Sequence, residues 1–199
     1  MFKTQIKFQR ILCLVALICA AVTFVYALGI MTDVYKLFRY VPYPEDPHYA
    51  VEVEGAWIYF DMQPFNESLI AVSIALILIA VVLFITNTHT RRKYYIGNYV
   101  AVGLYTAASL ASTIWAYINI IKFKAQFLQV DFETWKYLTE EIYKTDPYTE
   151  STFWFDIGFF AHALPIIVSI LLIINVVWKV SLMKQERALI EEGKTENQG

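Results

Sequence analysis

Apolar and polar positions alternate along this chain in long blocks. Four runs, at residues 11–31, 69–87, 99–121 and 157–178, contain no Asp, Glu, Lys or Arg. Each is long enough to cross a hydrocarbon core of about 30 Å at about 1.5 Å per helical residue. They predict an all-α integral membrane protein, a four-transmembrane-helix bundle in one membrane domain spanning 1–199. The intervening blocks are expected as a loop at 32–68, a short turn at 88–98, a second loop at 122–156 and a tail at 179–199. In the first run, Val25-Tyr26-Ala27 imitates a signal-peptidase site. The run continues past it and exceeds a usual signal-peptide core, so a membrane span is the expected reading.

The two longer loops carry patterns of their own. After the Pro-rich turn Pro42-Tyr43-Pro44-Glu45-Asp46-Pro47, the residues Val51, Val53, Trp57 and Tyr59 share one face of an extended chain. This fits either a short strand or hairpin broken at Gly55 or an irregular loop on the helix ends. In the second loop Asp131 is placed to cap an amphipathic helix in which Trp135, Leu138 and Ile142 recur at helical spacing before Asp146-Pro147. The sequon Asn66-Glu67-Ser68 abuts a span, where a glycosyl transferase has poor access, and is read as chance. Pro165 is expected to kink the fourth span.

Charge orients the bundle. With both termini and the 88–98 turn on the cytoplasmic side, ten of the sixteen Lys and Arg residues lie inside. The inner segments then carry +6 and the outer ones −8, the sum being the overall −2. Lys/Arg bias is what sets topology, and the bare triplet Arg91, Arg92 and Lys93 is its anchor. Both termini are therefore expected to be cytoplasmic and the two longer loops extracytoplasmic. The triplet also attracts anionic lipid at about 1 kcal/mol per basic residue, which is read here as anchoring only.

Composition removes whole classes of function. At 58% hydrophobic and 17% charged, with mean hydropathy +0.47, the chain is neither disordered nor a soluble nucleic-acid binder. Its two cysteines, Cys13 and Cys19, both lie inside the first apolar run, so the loops carry no disulfide and no CxxC or Cys/His ligand set exists. No metal and no cofactor is expected. GxSxG, HExxH, GxxxxGK[ST] and GxGxxG are all absent, and no enzymatic activity is expected. Exterior carboxylates, among them Glu52, Glu54, Asp61, Glu140 and Glu141, read as a solvated loop surface. Trp57, Tyr59 and Trp135 suit either stacking on a ligand or anchoring to lipid headgroups.

Candidate intramembrane chemistry is sparse. His162 is the one ionisable side chain inside a span, with Asn119 expected at similar depth on the third span and Asn175 nearer the other end of the fourth. Such a group is a functional candidate by default. A neutral histidine hydrogen-bonded to a neighbouring helix is the simpler expectation. Asn175, Ser109, Ser112 and Thr113 are expected as interhelical hydrogen-bonding groups. Gly103, Ala107 and Ala111 recur every four residues and line one face of the third span. This face permits close helix approach, and packing within the bundle is expected ahead of packing between subunits.

Four spans with two exterior loops superficially resemble the layout of claudin-like and tetraspanin-like proteins. The exterior cysteines of those families are missing here, and quinone-reducing four-helix enzymes would need a CxxC. No family follows. The expectation is a non-enzymatic accessory or scaffold subunit of a larger membrane assembly, with a small transporter or channel formed by oligomerisation as the alternative. An outer-face enzyme acting on lipid or glycan is the third reading. Expected partners are the lipid bilayer and other membrane-protein subunits or a second copy, and no nucleic acid. The compact layout and bare loops point to a bacterial plasma (inner) membrane.

Overall fold

A computed structural model describes residues 2–31, 40–43, 46–88, 96–139 and 150–196. It contains helices α1 (Phe2–Met31), α2 (Ile58–Thr88), α3 (Ile96–Phe127), α4 (Phe132–Thr139) and α5 (Phe153–Glu196), with strands β1 (Tyr40–Tyr43) and β2 (Asp46–Glu52) between α1 and α2. Four helices are long and apolar enough to cross a membrane: Lys3–Ile30, Ile58–Asn87, Ile96–Phe127 and Phe153–Glu191.

These helices outrun the charge-free blocks. α2 begins at Ile58, eleven residues before the apolar run. Ile58, Met62, Phe65 and Leu69 recur at helical spacing and are buried, while Asp61, Gln63, Glu67 and Ser68 are exposed. This stretch is a half-polar helical extension, which a hydropathy average misses because polar and apolar residues cancel. It also places Asn66 in a helix with its side chain buried, so that sequon cannot receive a glycan. α5 passes through Pro165 without interruption and reaches Glu196, a length of about 66 Å.

The loop between α1 and α2 holds a hairpin, but not the one the alternation suggested. β1 and β2 are antiparallel, with Tyr40 opposite Glu52 and Val41 opposite Val51. The strand stops at Glu52, and Trp57 and Tyr59 fall in the turn and first turn of α2 rather than on an extended face. Gly55 ends the extended stretch with φ of +78°, a region that L side chains avoid. A β-carbon there would lie 2.9 Å from the Val130 α-carbon. The second loop opens with α4, capped as expected: Asp131 Oδ1 accepts a hydrogen bond from the Thr134 N–H at 3.0 Å. Ile142, Glu140 and Glu141 lie outside the described residues. Asp131 N–H donates to Glu54 C=O at 3.0 Å, tying the start of α4 to the end of the hairpin, and α4 lies against β1.

Packing divides the chain into two compact units, both built from the long helices. The first comprises Met1–Ala21, Ala75–Ala111 and Leu164–Gly199, and the second Val22–Ile74 and Ser112–Ala163. The core of the first unit is made of small and aliphatic side chains, among them Cys13, Ala16, Ala80, Leu83 and Leu172, around Tyr105. Tyr105 Oη donates to Ala16 C=O, joining α3 to α1. The core of the second unit is aromatic. Phe127 stands 5.1 Å from Phe132 and 5.5 Å from Phe155, and Phe65 packs between Trp115 and Phe123. Trp135 is buried there, which removes it as an exterior stacking platform. Gly158 is required by that core, since a β-carbon would overlap Tyr26 Oη.

Candidate functional site

The polar residues buried among the apolar ones fall into two groups, one in each unit. In the second unit the central member is His162, 3% exposed, on α5. Thr113 Oγ1 on α3 donates to its backbone C=O at 2.9 Å, and its ring meets Tyr26 of α1 edge-on at 5.6 Å. Its Nε2 is buried and has no hydrogen-bond partner. The helix-to-helix bond at this level is thus made by the His162 backbone, and the hydrogen bond expected of the imidazole Nε2 is not formed.

Asn119 does not join it. Its Nδ2 donates to Trp115 C=O one turn back on the same helix, at 2.8 Å. A half-buried asparagine satisfied by its own helix is a local solution that depth along the span cannot reveal. Nearby, Tyr117 Oη donates to Phe159 C=O at 2.8 Å. Lys124 pairs with Asp156 at 2.6 Å, and Thr152 Oγ1 donates to the other oxygen of that carboxylate. Asp156 is therefore held by its own cap and by α3.

The first unit holds the larger group. Gln5 and Gln9 of α1, Asn87 of α2, Asn98 of α3, and Asn175 and Lys179 of α5 are all buried. Gln5 Nε2 donates to Gln9 Oε1 at 3.0 Å and to Asn175 Oδ1 at 3.2 Å. Gln9 Nε2 donates to Asn87 Oδ1 at 2.5 Å. Asn87 Nδ2 in turn donates to Leu83 C=O at 3.1 Å and reaches Asn98 C=O at 3.5 Å. The chain of carboxamides touches all four long helices. Asn175 is thus an interhelical group, as its position suggested, but its partner is Gln5. Sequence reasoning passed over Gln5 and Gln9 because they sit in the basic N-terminal stretch. Their spacing of four, facing one side of α1, was the available signal.

The small-residue face is where expectation and structure part. Gly103, Ala107 and Ala111 are exposed, and a β-carbon on Gly103 would meet nothing within 4 Å. The inward face of α3 carries Ala101, Val102, Tyr105, Ser109, Thr113 and Ala116 instead. Close packing of this stripe within the bundle is corrected: the Tyr105 side, with the larger buried volume, faces inward and turns the stripe out. Large apolar neighbours Val100, Leu104 and Leu110 are exposed beside it. The anchor residues Arg91, Arg92 and Lys93 lie outside the described residues. Among the described residues no group of three or more His, Cys, Asp or Glu is arranged to hold a metal. Set against known proteins, the chain matches no family model, no curated protein and no solved structure.

Proposed function

We propose that this chain is a non-enzymatic membrane subunit, an accessory or scaffold component that docks another membrane helix on the outward face of α3. The observation that carries the reading is the exposed stripe Gly103, Ala107 and Ala111, bracketed by Val100, Leu104 and Leu110. Small residues at four-residue spacing let a second backbone approach closely, which is how helices associate where lipid offers no hydrophobic driving force. In this reading both termini and the Arg91, Arg92 and Lys93 turn are cytoplasmic, supported by the ten-to-six bias of basic residues. The membrane is a bacterial plasma membrane, supported by the cysteine-free loops.

The test is crosslinking in intact membranes followed by purification in mild detergent, with the wild type beside Gly103→Ile and Ala107→Ile. Both substitutions lie on an exposed face, where a β-carbon at 103 meets nothing within 4 Å, and are expected to leave the fold intact. The wild type is expected to bring down a partner membrane protein or a second copy, and the variants to lose it. Free monomer alone from the wild type, or undiminished capture by the variants, overturns the reading.

A further inference from the structure

Among the described residues, the carboxamide group of the first unit leaves a positive charge without an ion pair and two acceptors without a donor. Lys179 is 6% exposed. Its Nζ lies 5.2 Å from the centre of the Tyr99 ring, and the ammonium makes no ion pair with any described residue. Lysine is almost never buried without a counter-charge. Gln5 Oε1 and Asn98 Oδ1 are buried in the same group without a hydrogen-bond donor. The three lie on the three helices α1, α3 and α5 that the carboxamide group joins. Gln5 bonds Asn175, one turn before Lys179 on α5, and Asn98 precedes the Tyr99 on which Lys179 stacks.

Position narrows what could answer them. Gln5 is the fourth residue of α1, Asn98 the third of α3, and Asn87 the last but one of α2. The candidate spans Lys3–Ile30, Ile58–Asn87 and Ile96–Phe127 all end within two residues of this group, and Lys179 directly follows the charge-free run 157–178, a position that fits headgroup depth. Two of those ends are helix N-termini, and neither α1 nor α3 has an acidic residue in its first turn, whereas α2, α4 and α5 each have one. The N-terminal N–H groups of α1 and α3 add positive potential, only one share of which the α2 C-terminus offsets.

An anion would answer Lys179 and the two helix ends. A bare anion would be repelled by the lone pairs of Gln5 Oε1 and Asn98 Oδ1, which need O–H or N–H donors. A phosphate ester whose alcohol carries free hydroxyls supplies both. We propose that this group binds a hydroxylated phosphate of glycerophosphate chemistry, the Lys179 ammonium taking the phosphate and the Gln5 and Asn98 carbonyls taking the hydroxyls. Two sources share that chemistry, a phospholipid headgroup and the free ester. The binding is independent of any helix docking on α3.

The full chain in phosphatidylcholine vesicles, probed with spin-labelled lipids, tests it. Phosphatidylglycerol is expected to be held in preference to phosphatidylcholine, and severalfold in preference to phosphatidylethanol, which has the same charge and no hydroxyls. Lys179→Met is expected to lower the phosphatidylglycerol preference about fivefold, the worth of one basic residue at a headgroup. The Arg91, Arg92 and Lys93 turn attracts anionic lipid equally in both proteins, so the difference isolates Lys179. Should Lys179→Met fail to fold, Asn98→Leu serves. It is expected to keep the preference over phosphatidylcholine and to lower the preference over phosphatidylethanol. Competition by sn-glycerol 3-phosphate identifies the source: displacement of bound lipid assigns the free ester as a ligand too, and lipid retention without displacement assigns the headgroup. Equal retention of phosphatidylglycerol and phosphatidylethanol by the wild type, or an undiminished preference in the variants, overturns the proposal.

Discussion

The two units solve one problem, holding four apolar helices together, with different chemistry. In the first, small and aliphatic residues pack around Tyr105, and a line of carboxamides, Asn175, Gln5, Gln9 and Asn87, ends on the Asn98 backbone C=O and stitches the helices. In the second, aromatic rings fill the interior, and the hydrogen bonds that Thr113 and Tyr117 make between helices end on backbone carbonyls, those of His162 and Phe159, with the Lys124–Asp156 pair at the rim. Ring packing is strong but has little directional demand beyond shape. A carboxamide chain fixes register, since each member must meet a particular partner. Polar side chains are therefore expected to matter for stability in the first unit and volume in the second.

The sharpest way to break that contrast is at Phe127, fully buried between Phe132 and Phe155. Phe127→Ala is expected to cost about 3–5 kcal/mol, the usual price of an aromatic cavity, measured as reversible unfolding in detergent. A loss below about 1 kcal/mol would mean that the aromatic core relaxes freely around the gap.

Next come paired substitutions of buried polar side chains. Gln9→Leu removes the link between Gln5 and Asn87 and strands Asn87 Oδ1, at an expected cost of about 1–2 kcal/mol. His162→Leu in the second unit keeps volume and leaves the Thr113 bond to the backbone in place, and is expected to cost less than about 1 kcal/mol. If the order is reversed, His162 has a role beyond packing and the contrast fails.

The smallest effect belongs to Asp131. Hydrogen bonds from Thr134, by its side chain and then its backbone N–H, hold this carboxyl below the ordinary carboxylate value. A group depressed in the folded state contributes stability that is whole above its unfolded value and lost as pH falls through the folded one. α4 is therefore expected to loosen only below about pH 4, seen as faster amide hydrogen exchange in 132–139 after correction for the intrinsic rate. Asp131→Asn is expected to remove that pH dependence, since asparagine caps the helix without titrating.

Much of this was legible in residues alone. Four runs free of charge and long enough to cross a bilayer are expected as helices, because an unpaired backbone group in hydrocarbon is too costly, and the Asp131 cap follows from local pattern. The candidate site was less legible. His162 was found because an ionisable residue in an apolar run is conspicuous, whereas Gln5 and Gln9 were hidden among Lys3, Lys7 and Arg10 at the basic start of α1. Asn119 and His162 share neither a level nor a bond: Thr113 is the α3 residue that meets His162, and Asn119 lies further along α3, bonded to its own helix.

Element type and span number are set by hydrophobic length and local caps, and these the sequence determined by itself. Which face of each helix turns inward is a contest between faces, decided only when all four helices pack together. On α3 that contest put Tyr105, Ser109 and Thr113 inside and Gly103, Ala107 and Ala111 outside. On α1 it drew Gln5 and Gln9 into the interior, where Asn87 and Asn175 could meet them. A buried polar group is tolerated only where partners from other helices converge, and that convergence exists in three dimensions alone.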